Sequence, residues 1–296
     1  MSTIDRILVA TDLSEPADWA VARAAALAQL HGASLDLVHI VSSTFLEALR
    51  LPPAGEVVDP EAAMASLRTE VDRSAEEVAR AYGVTVRPYT VPGKPSREIL
   101  QLARECRTQL VVAGAHGRHP MHRVLFGSTT ERLLYHADVP LLIVKGGPQA
   151  PYHRLLVAVD FSDCALQATR FAAQLLPEAA LTLFHAVESP VEGLMRFAGV
   201  TDEQVARHRA GAMAQAELQM SAFLGTAGLA GAATRSLDYG YPIRSIKDGV
   251  DKAAPDVLVL GKHGRSVVEH WMVGSVTAHL ARAVECDVLV VPDSGP

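Results

Sequence analysis

The chain is short of the features that mark several protein classes. Of 296 residues only three are cysteines, Cys106, Cys164 and Cys286. They are odd in number and far apart, which excludes a disulfide framework and fits reduced thiols in a cytoplasmic protein. Basic charge is also scarce: 27 Lys and Arg stand against 33 Asp and Glu, a formal charge of −6. That balance argues against nucleic-acid binding, and no Lys/Arg block invites an anionic membrane surface. No apolar run approaches the ~18 residues that span a bilayer, and Asp5 and Arg6 interrupt any secretory signal core at the start. Neither a Gly-x4-Gly-Lys-Ser/Thr loop nor a Gly-x-Gly-x-x-Gly fingerprint after the first strand occurs. No nucleophile–base pair and no paired carboxylates stand out, so the sequence supplies no fast catalyst.

What the chain does have is apolar content, 49% hydrophobic residues against 20% charged, enough for a sizeable core. Its length is about that of two ordinary domains. It also repeats itself. Asp5-Arg-Ile-Leu-Val-Ala-Thr-Asp-Leu-Ser14 matches His153-Arg-Leu-Leu-Val-Ala-Val-Asp-Phe-Ser162 at six of ten positions, an offset of 148. Gly114-Ala-His-Gly-Arg118 and Gly127-Ser128 return as Gly261-Lys-His-Gly-Arg265 and Gly274-Ser275, an offset of 147. Landmarks in the same order at one spacing mark a tandem duplication. The joint falls at the turn-rich Gly146–Pro151, giving expected domains at residues 1–147 and 151–296.

Each half alternates short apolar runs with helical periodicity, which predicts a doubly wound parallel α/β sheet, Rossmann-like, in each. The expected strands are 7–10, 35–41, 84–89, 110–113 and 139–144, then 155–159, 181–187, 232–237, 257–260 and 288–291. Ser14 ahead of Pro16 reads as a helix N-cap, and Gly32 as its C-terminal stop. Long helices are expected at 61–82 and 202–224, the second opened by a Thr201–Gln204 capping box.

In such sheets ligands bind beyond the carboxyl ends of the strands, where strand order reverses. Asp12 and Asp160 end the first strand of each half, and Gly114 and Gly261 end the fourth. From there to the last helix both halves read Gly-x2-Gly-x9-Gly-Ser. The glycines permit close backbone approach to a ligand, and Ser128 and Ser275 open helices whose free N–H groups favour phosphate. A turn and a helix cap would account for one such copy, but two copies in equivalent places favour a site.

On these residues both halves resemble the universal stress protein domain, whose ATP-binding members carry Gly-x2-Gly-x9-Gly-Ser/Thr. The resemblance covers essentially the whole chain, as a tandem-type member with two halves packed as a pseudo-two-fold pair through strands 139–144 and 288–291. It implies ATP, with magnesium, as ligand. Asp12 and Asp160 would lie at the adenine side, and the backbone of Ile40 and Ala186 would meet the base. Gly114, Gly117, Gly261 and Gly264 would line ribose and phosphates. Gly127, Ser128 and Thr129, with Gly274, Ser275 and Val276, would hold phosphate oxygens. A stress-response regulator or sensor with at most slow ATP hydrolysis is the implied function. A nucleotide-free protein-interaction module is the alternative, and a homodimer and unidentified protein partners remain open.

Other residues have plainer readings. His116, His119 and His122 have zinc-like spacing, but the second half carries Ser266 and Glu269 at the last two places, so exposed polar residues are the expectation. Arg118 and Arg265 fit either a phosphate or a surface ion pair. His39 and His185 end apolar strands as satisfied, half-buried side chains. Cys164 begins a helix without a counterpart in the first half, where Pro16 stands, and is expected to be a buried or incidental cysteine. Phe126 and Trp271 would pack on either the ligand or the fold.

Overall fold

The computed structural model describes residues 4–50, 59–117, 126–147, 151–189, 192–264 and 273–293. The chain divides into two compact units, Met1–Pro151 and Tyr152–Pro296. In the first, β1 (Arg6–Thr11) and α1 (Glu15–His31) lead to β2 (Ser34–Ser42), α2 (Ser43–Arg50) and α3 (Pro60–Tyr82). Then come β3 (Val86–Gly93), α4 (Pro95–Glu105), β4 (Leu110–Gly114), α5 (Ser128–His136) and β5 (Leu141–Val144). The strands stand in the order β3-β2-β1-β4-β5, and every pair is parallel.

The second unit repeats this plan. Its elements are β6 (Arg154–Ala158), α6 (Asp163–Leu175), β7 (Ala180–Val187), α7 (Glu192–Phe197) and α8 (Asp202–Ala227). They continue through β8 (Ala233–Tyr239), α9 (Pro242–Ala253), β9 (Val257–Gly261), α10 (Ser275–Ala283) and β10 (Asp287–Val291). The strand order is β8-β7-β6-β9-β10, again parallel. In both units the chain moves outward from the first strand on one side and then returns to the other, so the order reverses between β1 and β4 and between β6 and β9.

Helices on both faces bury the strands, which is why these read as apolar runs rather than alternating ones. Ile7, Leu8, Leu35, Leu37, Leu110 and Ile143 are fully buried in the first unit, and Leu183, Leu258, Val259 and Leu289 in the second. Helix ends follow their local chemistry. Gly32, Gly83 and Gly228 close α1, α3 and α8 in the left-handed conformation that glycine adopts without a Cβ penalty. Thr201 and Gln204 form the reciprocal capping box at the start of α8.

The structure departs from expectation at several boundaries. The third strand of the first unit starts at Val86 and runs to Gly93, because residues 84–85 are still leaving α3 while 90–93 pair with His39–Ser42 of β2. The short helices α2 and α7 are additional. Ser14 is the N-cap residue of α1, yet its side chain accepts no cap hydrogen bond. Its hydroxyl is turned back to donate to Oδ1 of Asp12. Ser162, in the same place, caps α6 by accepting from Ala165 N at 3.2 Å. All three cysteines are free thiols. Among the described residues no helix is long and apolar enough to cross a membrane.

Candidate functional site

At the reversal point of the first unit lies a cavity of about 310 Å³, within the size range of small-molecule sites. Its walls come from the carboxyl ends of β1, β2 and β4 and from the amino ends of α4 and α5. Asp12, Ile40, Gly114, Gly117, Gly127, Ser128 and Thr129 all line it. The seven residues expected from the first half are thus brought together.

Each is held there by backbone chemistry. Leu13 adopts φ 61°, a left-handed conformation rare for a residue with a Cβ, and its counterpart Phe161 adopts φ 63°. The kink turns the chain so that Asp12 Oδ1 accepts from Ser14 N at 3.2 Å, while Asp160 Oδ1 accepts from Ser162 N at 3.0 Å. His39 Nδ1 lies 2.9 Å from the Thr11 carbonyl, and His185 Nδ1 2.7 Å from that of Val159, so both histidines tie adjacent strand ends.

The glycines are required by closeness. A Cβ on Gly117 would stand 2.5 Å from Asp12 Oδ2, and one on Gly264 2.9 Å from Asp160 Oδ2. A Cβ on Gly114 would come within 3.1 Å of the Pro16 carbonyl, and one on Gly261 within 3.1 Å of Cys164 Sγ. The carboxylates of Asp12 and Asp160 therefore lie beside the second glycine of each motif.

A further link closes the loop. Ala115 N donates to the Val144 carbonyl at 2.7 Å, and Gly127 N to the Ala115 carbonyl at 2.9 Å. Lys262 N and Gly274 N do the same with Val291 and Lys262, both at 2.8 Å. Thr130 Oγ1 donates to the Gly114 carbonyl and Thr277 Oγ1 to that of Gly261, each at 2.7 Å. These threonines escape a motif that ends at Gly-Ser, although Thr two places after the serine recurs in both halves. Gly127 and Gly274 are the N-cap residues, and no side chain caps either helix. The first-turn N–H groups of α5, with the positive end of its dipole, point to the cavity rim where Ser128 and Thr129 lie.

Sequence reasoning missed the apolar walls. Val38, Pro95, Ile99 and Ala113 line the cavity, with Thr11 and Ala17 beside them. Pro95 and Ile99 had a signal, the Gly93-Lys-Pro opening of α4 that recurs as Gly240-Tyr-Pro. Charge accumulates on the α1 side. Burial, then the nearby charges of Asp12 and Glu15, push the Asp18 carboxyl above its usual range.

In the second unit Asp160, Gly261, Gly264, Gly274 and Ser275 repeat the clamp, the turn and the helix opening, Val276 follows Ser275 in α10, and Ala186 is buried in β7. Cys164 is buried as expected, its Sγ donating to the Val291 carbonyl at 3.4 Å, and burial raises its pKa. Phe126 is half-buried, with Lys145 Nζ 5.4 Å from its ring centroid. Arg118, His119, His122, Arg265, Ser266, Glu269 and Trp271 lie outside the described residues. Among the described residues no group of three or more His, Cys, Asp or Glu is placed to hold a metal ion.

The chain is matched by the model of the universal stress protein family over residues 3–145 and again over 151–292. A universal stress protein of Mycolicibacterium smegmatis is 27% identical over 308 aligned positions, covering 96% of both chains. A putative universal stress protein of Staphylococcus haemolyticus is 32% identical over 149 positions, 49% of this chain and 87% of its own. The crystal structure of a universal stress protein from Archaeoglobus fulgidus has the same fold over 99% of this chain and all of its own, with TM-score 0.69 and 18% identity. Two family matches in one chain, over two copies of one α/β unit, make this protein a tandem member of the universal stress protein family.

Proposed function

We propose that the cavity of the first unit binds ATP, and that the second unit offers an equivalent site, in two domains spanning 1–147 and 151–296. The observation that carries this reading is the convergence of Asp12, Gly114, Gly117 and the uncapped start of α5 on one cavity. The residues fit the ligand. Val38, Ile40 and Ile99 give apolar cover for a base, and the glycines bring backbone close enough to meet ribose and phosphate. Ser128 and Thr129 present N–H and hydroxyl groups at a helix N-terminus, where anions are stabilised.

The carboxylate of Asp12, which lines the cavity, opposes a bare polyphosphate and favours ATP as its magnesium complex. Bound nucleotide acts by biasing conformation, and its binding energy is the signal of a stress-response regulator. Thermal unfolding with and without Mg-ATP tests the reading. A ligand at 100 times its Kd stabilises the folded state by about 2.7 kcal/mol, so the Tm is expected to rise by several degrees. An unchanged Tm at millimolar Mg-ATP overturns it.

A further inference from the structure

The two units differ at the apolar end of the site. In the first, Val38 of β2 pairs in register with Ala10 of β1, and both line the cavity together with Ala113 of β4. The matching row of the second sheet is Phe184, Ala158 and Leu260, joined by the register of β7, β6 and β9. Residues paired in a parallel sheet point to one face, so Phe184 takes the place of Val38. The helix over this face differs as well. α4 brings Pro95 and Ile99 to the cavity and carries the buried Leu102 one turn further on. α9 repeats the proline and the isoleucine as Pro242 and Ile246, but has Gly249 where α4 has Leu102.

The Phe184 ring is seated where that side chain is missing. A Cβ on Gly249 would stand 2.6 Å from ring carbon Cε2 and 3.0 Å from both Cδ2 and Cζ. Gly249 lies inside α9, where glycine disfavours the helix relative to alanine. The ring supplies the reason for it. Ile246, one turn earlier, is the counterpart of the cavity residue Ile99, so a ring lying on Gly249 is drawn along α9 away from the pocket. A ring pushed off Gly249 has no room across the sheet, because Leu260, 3% exposed, fills the row beyond Ala158. The way left to it runs toward Ile246 and Pro242, where the first unit has its cavity.

We propose that Gly249 is a positioning residue of the second unit's site, holding the Phe184 ring against α9 so that the end of the pocket that receives the base stays open. This rests on the reading of a nucleotide site in each unit. Val38 with Leu102, and Phe184 with Gly249, are then two packings of one wall, each pairing a small residue with a large one.

The test titrates the full chain with Mg-ATP by calorimetry and repeats the titration on variants. The wild-type chain is expected to show two sites. Gly249→Ala should weaken one of them about tenfold or more, the result of overpacking a closed core, and Phe184→Val added to it should restore that site. In the first unit Val38→Phe should weaken the other site, and Leu102→Gly added to it should recover affinity. Denaturant unfolding reads the same contact without ligand. Gly249→Ala should lower the midpoint in the wild-type chain but raise it in the Phe184→Val background, where only the helix preference for alanine remains. A midpoint raised in both backgrounds, unchanged affinities in Gly249→Ala, or a loss that Phe184→Val does not restore overturns the proposal. A single wild-type site that Gly117→Val removes also overturns it and leaves the nucleotide reading of the first unit standing, whereas no saturable heat overturns both.

Discussion

At the scale of single residues, two positions carry chemistry that can be tested separately. Gly117 is fixed by the Asp12 carboxylate, which a Cβ would meet at 2.5 Å. Its φ is not in the left-handed region, so the cost of substitution is steric and local. Gly117→Val is therefore expected to displace Asp12 and weaken Mg-ATP binding in the first unit by about tenfold or more, a loss of roughly 1.4 kcal/mol per tenfold. Titration of that variant beside Gly264→Val checks it, and unchanged affinity in Gly117→Val would remove the Asp–Gly clamp from the site. Asp36 makes a pH prediction. Its folded pKa is raised by burial above the ordinary carboxylate value of 3.8, with Arg6, Arg87 and Cys106 only partly opposing this. A raised carboxyl pKa means the folded state binds its proton more tightly, so the penalty is absent below 3.8 and grows as pH rises through the folded pKa. Asp36→Asn should thus raise the Tm at pH 7, with the gain shrinking toward zero as pH falls toward 4. A gain that grows on acidification would contradict the assignment.

At the scale of elements, what the sequence discloses depends on how far apart the interacting residues lie. Strands buried on both faces announce themselves as apolar runs, and helices closed by glycine announce their ends, so β1 to β10 and the cap at Gly32 were legible. The site motif was legible because its glycines recur in two copies at one spacing. Helices α2 and α7 were not, since Ser43–Arg50 and Glu192–Phe197 are too short to establish a period, and Phe45 and Phe197 are exposed. The 3.8 Å contact of the Tyr89 hydroxyl with the Cys106 thiol was equally hidden, because only the packing of the end of α4 against β3 brings those residues together. Capping shows the same limit. Ser14 and Thr201 look alike in sequence, but only Thr201 accepts from the N3 backbone, while the Ser14 hydroxyl serves Asp12. Thr201→Ala is expected to cost about 1 kcal/mol of stability, read from denaturant unfolding. Ser14→Ala should cost less stability and instead lower nucleotide affinity. Equal stability losses would show that both serve as caps.

At the scale of the whole molecule, the duplication is itself informative. Both units place an aspartate beside the second glycine, tie the first glycine to a threonine of the last helix, and leave that helix without a side-chain cap. They differ at single positions around the site: Pro16 against Cys164, and Val38 of the cavity wall against Phe184. That pattern fits two nucleotide sites on one chain. The central claim is nucleotide binding, and calorimetric titration of nucleotide-stripped protein with Mg-ATP, at one fixed salt concentration, tests it most directly. Two equivalent clamps predict saturable heat with a stoichiometry near two per chain. A stoichiometry near one would contradict their equivalence, and no saturable heat at millimolar Mg-ATP would contradict nucleotide binding itself.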